Sequence, residues 1–231
     1  MKTIHLQLET ASALLAIAIL VLTASITSLS QAKVLAVSIA NSKTMPLGTA
    51  VTVEGTVTLA SGTFRSSFSD YGFQVQDKTS GTYVSIKTDL HLAVGQKVRL
   101  TGKIAKTPLG FQMIETDEKS VEVLAGTGRT KPLDKATGEI DDSVRGRLIK
   151  ITGTVTKPVD PDPPYGYRVT IDDGTGLLIA YVSTSSGVSQ DDFVVGKRIQ
   201  MVGIAGKFRQ QPQIYPRSPT DVRPFPQPRS K

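Results

Sequence analysis

Two histidines, no cysteine and the aspartates at 172 and 173 are the material from which this 231-residue chain would have to build a catalytic or metal centre. His5 lies in an apolar leader and His91 in a short stretch that reads as a turn. No Ser/His/Asp or Cys/His set can be assembled around either of them. Without cysteine there is neither a disulfide framework nor a thiolate metal site. Asp172-Asp173 supplies two carboxylates, but Gly174-Thr175-Gly176 follows at once, and an Asp-Gly hairpin requires those same residues for its turn. No metal or cofactor is implied. What remains is binding chemistry, in which aromatic rings stand beside cations. Phe64-Arg65, Tyr83 with Lys87, and Lys207-Phe208-Arg209 are the instances. A ring that stacks on a nucleobase contributes about 1–3 kcal/mol, and neighbouring cations hold phosphates.

The elements that must position these residues occur twice. Val94 to Gly102 (VGQKVRLTG) returns about a hundred residues later as Val195 to Gly203 (VGKRIQMVG). Both alternate polar and apolar residues between glycines, the pattern of a half-buried strand. Upstream, LGTAVTVEGTVT (47–58) answers RGRLIKITGTVT (145–156), and YGFQVQD (71–77) answers YRVTIDD (167–173). Gly81 leads into Tyr83-Val84-Ser85-Ile86, as Gly176 leads into Leu178-Ile179-Ala180-Tyr181. Such self-similarity marks an internal repeat of one five-stranded unit. Period-two parity places Val51, Val53, Phe73, Val75, Val98 and Leu100 in one core. Ile149, Ile151, Val169, Ile171, Ile199 and Met201 fall in another. Tyr167 and Tyr181 lie on core parity, whereas Gln74, Gln76, Tyr83 and Lys87 point outward.

This succession of Gly-bounded strands with an Asp-Gly turn resembles an OB-fold of the anticodon-binding and helicase-associated type, in tandem, over 46–124 and 144–225. The resemblance implies an all-β chain of two five-stranded Greek-key barrels. In such barrels strands two and three, with the loops after strands one and four, commonly bind oligonucleotides or oligosaccharides. On that basis the candidate ligand-binding residues are Phe64 and Arg65 in the first loop, Gln74 and Gln76 on strand two, and Tyr83 and Lys87 on strand three. In the second copy they are Arg168 on strand two and Lys207, Phe208 and Arg209 in the loop after strand four. Tyr83 sits where OB proteins stack bases, but its counterpart appears as Leu178, so the two faces are not interchangeable. The nuclease branch of this architecture needs a carboxylate and arginine set, and none can be placed.

Residues 1–32 read as an export signal. Lys2 precedes an apolar run from Ala13 to Ile26, and Ser30-Gln31-Ala32 offers small residues for cleavage after Ala32. The rival reading is a retained anchor, although the run is short of the ~20 residues that span a bilayer. Absence of cysteine excludes a lipoprotein anchor. A polar lead-in (33–45), a Gly/Thr-rich linker (125–143) and a Pro/Arg-containing tail (226–231), expected to be disordered, complete the organisation. The net charge is +7. Lysine and arginine against aspartate and glutamate count 8 to 8 in the first barrel and 11 to 7 in the second, with no clustered run.

Two readings follow. One is an exported, non-catalytic module, periplasmic or secreted, that holds single-stranded DNA or RNA or an anionic polysaccharide, with no stable membrane span after cleavage. The other is a structural module that assembles with an envelope protein.

Overall fold

The computed structural model describes residues 34, 36–65, 69–107 and 111–226. The expected export signal, residues 66–68 of the first loop, the loop tip at 108–110 and most of the expected tail lie outside the described residues. Fourteen strands are described. They are β1 (Ala50–Leu59), β2 (Phe73–Gln76), β3 (Gly81–Ser85), β4 (Gln96–Lys106), β5 (Gln112–Glu115), β6 (Val121–Thr127) and β7 (Leu133–Asp134), followed by β8 (Leu148–Val155), β9 (Asp160–Asp162), β10 (Gly166–Asp172), β11 (Leu178–Ser183), β12 (Arg198–Phe208), β13 (Gln211–Tyr215) and β14 (Val222–Pro224).

The first sheet runs β1-β2-β3-β5-β4 and closes because β4 also pairs with β1. The second repeats this as β8-β10-β11-β13-β12, closed by β12 on β8. In each barrel the third and fifth strands are the parallel pair. Both are therefore five-stranded OB barrels in tandem, and both lie within one compact unit that begins at Leu35.

Closure needs the first strand to serve two neighbours. The first half of β1 pairs with β4 and its end with β2. Gly55 sits at this crossing, where a Cβ would stand 2.6 Å from Val75 Cγ2; Gly153 does the same in the second barrel, 2.7 Å from Ile171 Cγ2. The repeated glycine of the sequence thus marks a place where two strands leave no room for a side chain.

Alternation sorts the apolar residues as expected. Phe73, Val75, Val98 and Leu100 are fully buried in one cluster with Val51 and Val53. Ile149, Ile151, Val169, Ile171, Ile199 and Met201 belong to a second, separate cluster. Register corrects two assignments, however. Val75 faces Thr82 and Tyr83 faces Gln74, while Ile171 faces Leu178. Ile179, not Leu178, is therefore the counterpart of Tyr83. The same count turns Leu178, Ala180 and Val182 inward and leaves Tyr181 outside the core, opposite Arg168.

The stretch between the repeats is shared between the barrels' edges. β6 continues along β4 to Thr127, and β7 pairs in parallel with β8. The proline-rich loop of the second barrel also gains structure, since β9 pairs with β10. A short helix, α1 (Ile39–Ser42), plugs the first barrel with Ile39, which is completely buried.

Candidate nucleic-acid interface

The outer face of β2 and β3 is where the resemblance placed the ligand, and the second barrel occupies much of it. Gln74 Nε2 donates to the Gly146 carbonyl at 2.7 Å, and Leu148 N–H donates to Gln76 Oε1 at 2.8 Å. Both glutamines are buried, at 4% and 5% exposure, and so are not free to read a base. At the centre of this contact Gly81 and Gly146 meet backbone to backbone. Lys43, just after α1, clips the junction with bonds to Ser80 Oγ (2.8 Å) and the Arg145 carbonyl (2.7 Å). Burial first, then the charges of Arg145 and Arg147, push its pKa down to about 8, against the pull of Asp77.

Tyr83 is half-buried and held. Its hydroxyl donates to Asp70 Oδ1 at 2.6 Å, Ser85 Oγ donates to Asp70 Oδ2 at 2.6 Å, and the ring end lies over Gly72. Burial, then the bond to Asp70, raise its pKa. Phe64 is buried against Tyr215, with ring centroids 5.7 Å apart, instead of projecting from its loop. Both rings, with Gln74 and Lys207, line a cleft at the junction of about 110 Å³. Ligand pockets run to several hundred Å³, so this one is too small for a nucleoside.

The other candidates are scattered. Arg65 is exposed and stacks on Tyr71, 4.5 Å from its centroid. Exposed Lys87 borders a depression it shares with Glu115, Asp117 and Glu118, a poor place for a phosphate. Arg168 is engaged by Asp162 (2.7 Å) and Asp160 (3.3 Å). Lys207 pairs with Asp142 at 3.2 Å, and Arg209 covers Phe208 at the β12–β13 turn. Asp172 and Asp173 act as turn residues: Gly174 N–H bonds Asp172 Oδ1, and Asp173 takes Thr137 and Thr175. Among the described residues no group of three or more His, Asp or Glu could hold a metal ion.

A different surface gathers charge. Two depressions along the barrel junction share Thr56, Arg129 and Thr130 and so form one trough. Lys78 and Lys97 enter it from the first barrel, Arg129 and Lys131 from the segment between β6 and β7, and Arg147 and Arg223 from the second barrel. None of these six makes an ion pair among the described residues. The trough's acids are already engaged. Glu54 pairs with Arg99 at 2.7 Å, and Asp221 takes Arg217 through both oxygens. Asp77 accepts from Ile39 N, Thr79 N, Thr79 Oγ1 and Ser80 N at 2.6–2.9 Å. Burial favours its neutral form, but these bonds, the Thr79 hydroxyl foremost, hold its pKa below the usual carboxylate value. Sequence reasoning missed the six cations because they are spread from residue 78 to residue 223, and only the docking of the barrels brings them together.

No family model matches the sequence, and no curated protein matches it. Among solved structures, a chain of a replication protein A heterotrimer bound to ssDNA is similar at 12% identity and TM-score 0.29 over 35% of this chain; this chain spans 58% of that one. A murine DNA binding protein bound with ds DNA is similar at 12% identity and TM-score 0.40, covering 78% of this chain and 99% of the other. The p204 HINb domain is similar at 13% identity and TM-score 0.38, covering 70% and 90%.

Proposed function

We propose that this protein binds nucleic acid as a polyanion along the trough at the barrel junction, without a catalytic step, and that it does so after export from the cytoplasm. The observation that carries the reading is the convergence of six cations without ion pairs, from both barrels and the segment between them, beside acids that are already satisfied. A phosphate backbone releases counterions when such cations replace them, and that release drives sequence-independent binding. The β2–β3 face contributes to binding indirectly, by docking the barrels that shape the trough.

The test is oligo-dT binding by fluorescence anisotropy at two salt concentrations. With six cations on a single strand, log affinity against log salt should have a slope of about −4, so affinity falls about 300-fold between 50 and 200 mM salt. Absence of binding at 50 mM salt, or a flat salt dependence, would refute the proposal. A sulfated polysaccharide that binds at 200 mM salt where oligo-dT does not would replace nucleic acid as the ligand.

A further inference from the structure

Arg147 differs from the other five cations of the trough. Its Nε lies buried with no hydrogen-bond partner. A buried donor left unmade is costly, and native structures rarely retain one without a use. Its backbone is also fixed from both sides. Gly146 O and Leu148 N are bound by Gln74 and Gln76 of the first barrel, and Arg147 N–H and C=O bond Val144 O and Ala205 N of the second. The guanidinium therefore starts from an anchored Cα, and only its side-chain torsions have to be ordered to hold a ligand.

We propose that Arg147 forms a phosphate subsite: when a nucleic-acid backbone enters the trough the guanidinium turns out toward it, so that a non-bridging oxygen accepts from the Nε–H that is buried and unmade in the free protein, while nearby Lys78 and Arg129 balance the charge. This rests on the reading of the trough given above and names the residue that fixes the strand in it. The surroundings favour an oxyanion. Lys43 and Arg145 are close enough to Arg147 to add to the positive potential there, and the charges of Arg145 and Arg147 in turn depress the Lys43 pKa after burial has acted. The nearby Asp77 carboxylate is taken up by its own loop and by α1. An arginine fork matches a phosphate through parallel N–H donors, which a lysine ammonium does not reproduce.

Arg147→Lys keeps the charge and removes Nε–H, so it separates geometry from electrostatics. Oligo-dT should bind this variant roughly tenfold more weakly with an unchanged salt slope, as expected for one charge-assisted bond. Lys131→Ala should instead lower the slope by about 0.7. In the unmodified protein the Arg147 Nε–H resonance should move on addition of oligo-dT, a readout that needs no variant to fold. Wild-type affinity in Arg147→Lys, or an unmoved Nε–H resonance while salt-sensitive binding persists, overturns the subsite and leaves the trough standing. Absence of oligo-dT binding by the unmodified protein overturns both.

Discussion

Replacing Gly81 by alanine tests whether the two barrels are one docked body. A Cβ at Gly81 would overlap the Gly146 carbonyl oxygen and stand 2.7 Å from its carbon; one at Gly146 would do the same to Gly81, 2.8 Å from its carbonyl carbon. Carbon atoms pack at about 3.5–4.0 Å, so the backbones must part by about 1 Å. Neither can yield by a rotamer change, because the obstacle is main chain on both sides. Parting the strands stretches the Gln74–Gly146 and Gln76–Leu148 bonds, now 2.7 and 2.8 Å. Each buried polar pair left unmade costs about 1–3 kcal/mol, so the two together cost about 2–6 kcal/mol. Calorimetry should then show the single unfolding transition of the parent lowered or split into two, while circular dichroism keeps its β signature, since neither barrel core is touched. An alanine variant that melts as the parent does, in one transition, would refute the docking argument and with it the composite trough.

Tyr83→Phe removes the hydroxyl that holds Asp70, so stability should fall by about 1.5–3 kcal/mol with oligo-dT affinity unchanged. Lost affinity with unchanged melting would restore a stacking role for the ring. Asp173 has a pKa of about 2: burial acts to raise it, but the Thr175 and Thr137 hydroxyls and N–H groups outweigh that. A depressed carboxylate stabilises the fold above the unfolded-state value and loses that contribution as pH falls through the folded one. Melting temperature should thus drop between about pH 4 and pH 2 in the parent, and less in Asp173→Asn. N-terminal sequencing of exported protein should begin at Lys33, and a start at Met1 in a membrane fraction would show a retained anchor.

Period-two alternation made the cores legible. It depends only on which residues lie two apart on one strand, and both clusters contain the positions it selects. The repeated glycines were legible for a related reason, because a barrel that bends its first strand across two neighbours needs the same gap each time. Register was legible to within one residue, which is not enough on a strand. A slip of one exchanged Leu178 with Ile179 and turned Tyr181 from the surface to the core.

The proposed binding face was not legible, and the reason is physical. Alternation says which side of a strand avoids the core, but it does not say whether water or another barrel meets that side. Gln74 and Gln76 have the residue type of a solvated face, yet they bury completely because their partners, Gly146 and Leu148, each lie 72 residues further along the chain. Polar side chains suit either fate, since a glutamine pairs as well with a main-chain group as with water. Aromatic residues misled in the same way: Phe64 and Tyr83 carry the chemistry of stacking but spend it on Tyr215 and Asp70. Charge is the property that survives docking, because an unpaired lysine or arginine resists burial and must stay at the rim. The two-barrel contact therefore removes the aromatic, hydrogen-bonding face from solvent and leaves the cations of Lys78, Lys97, Arg129, Lys131 and Arg223 exposed around its edge. Arg147 is the exception, with its Nε drawn beneath that edge, and for that reason it is the residue where charge and geometry can be separated by experiment.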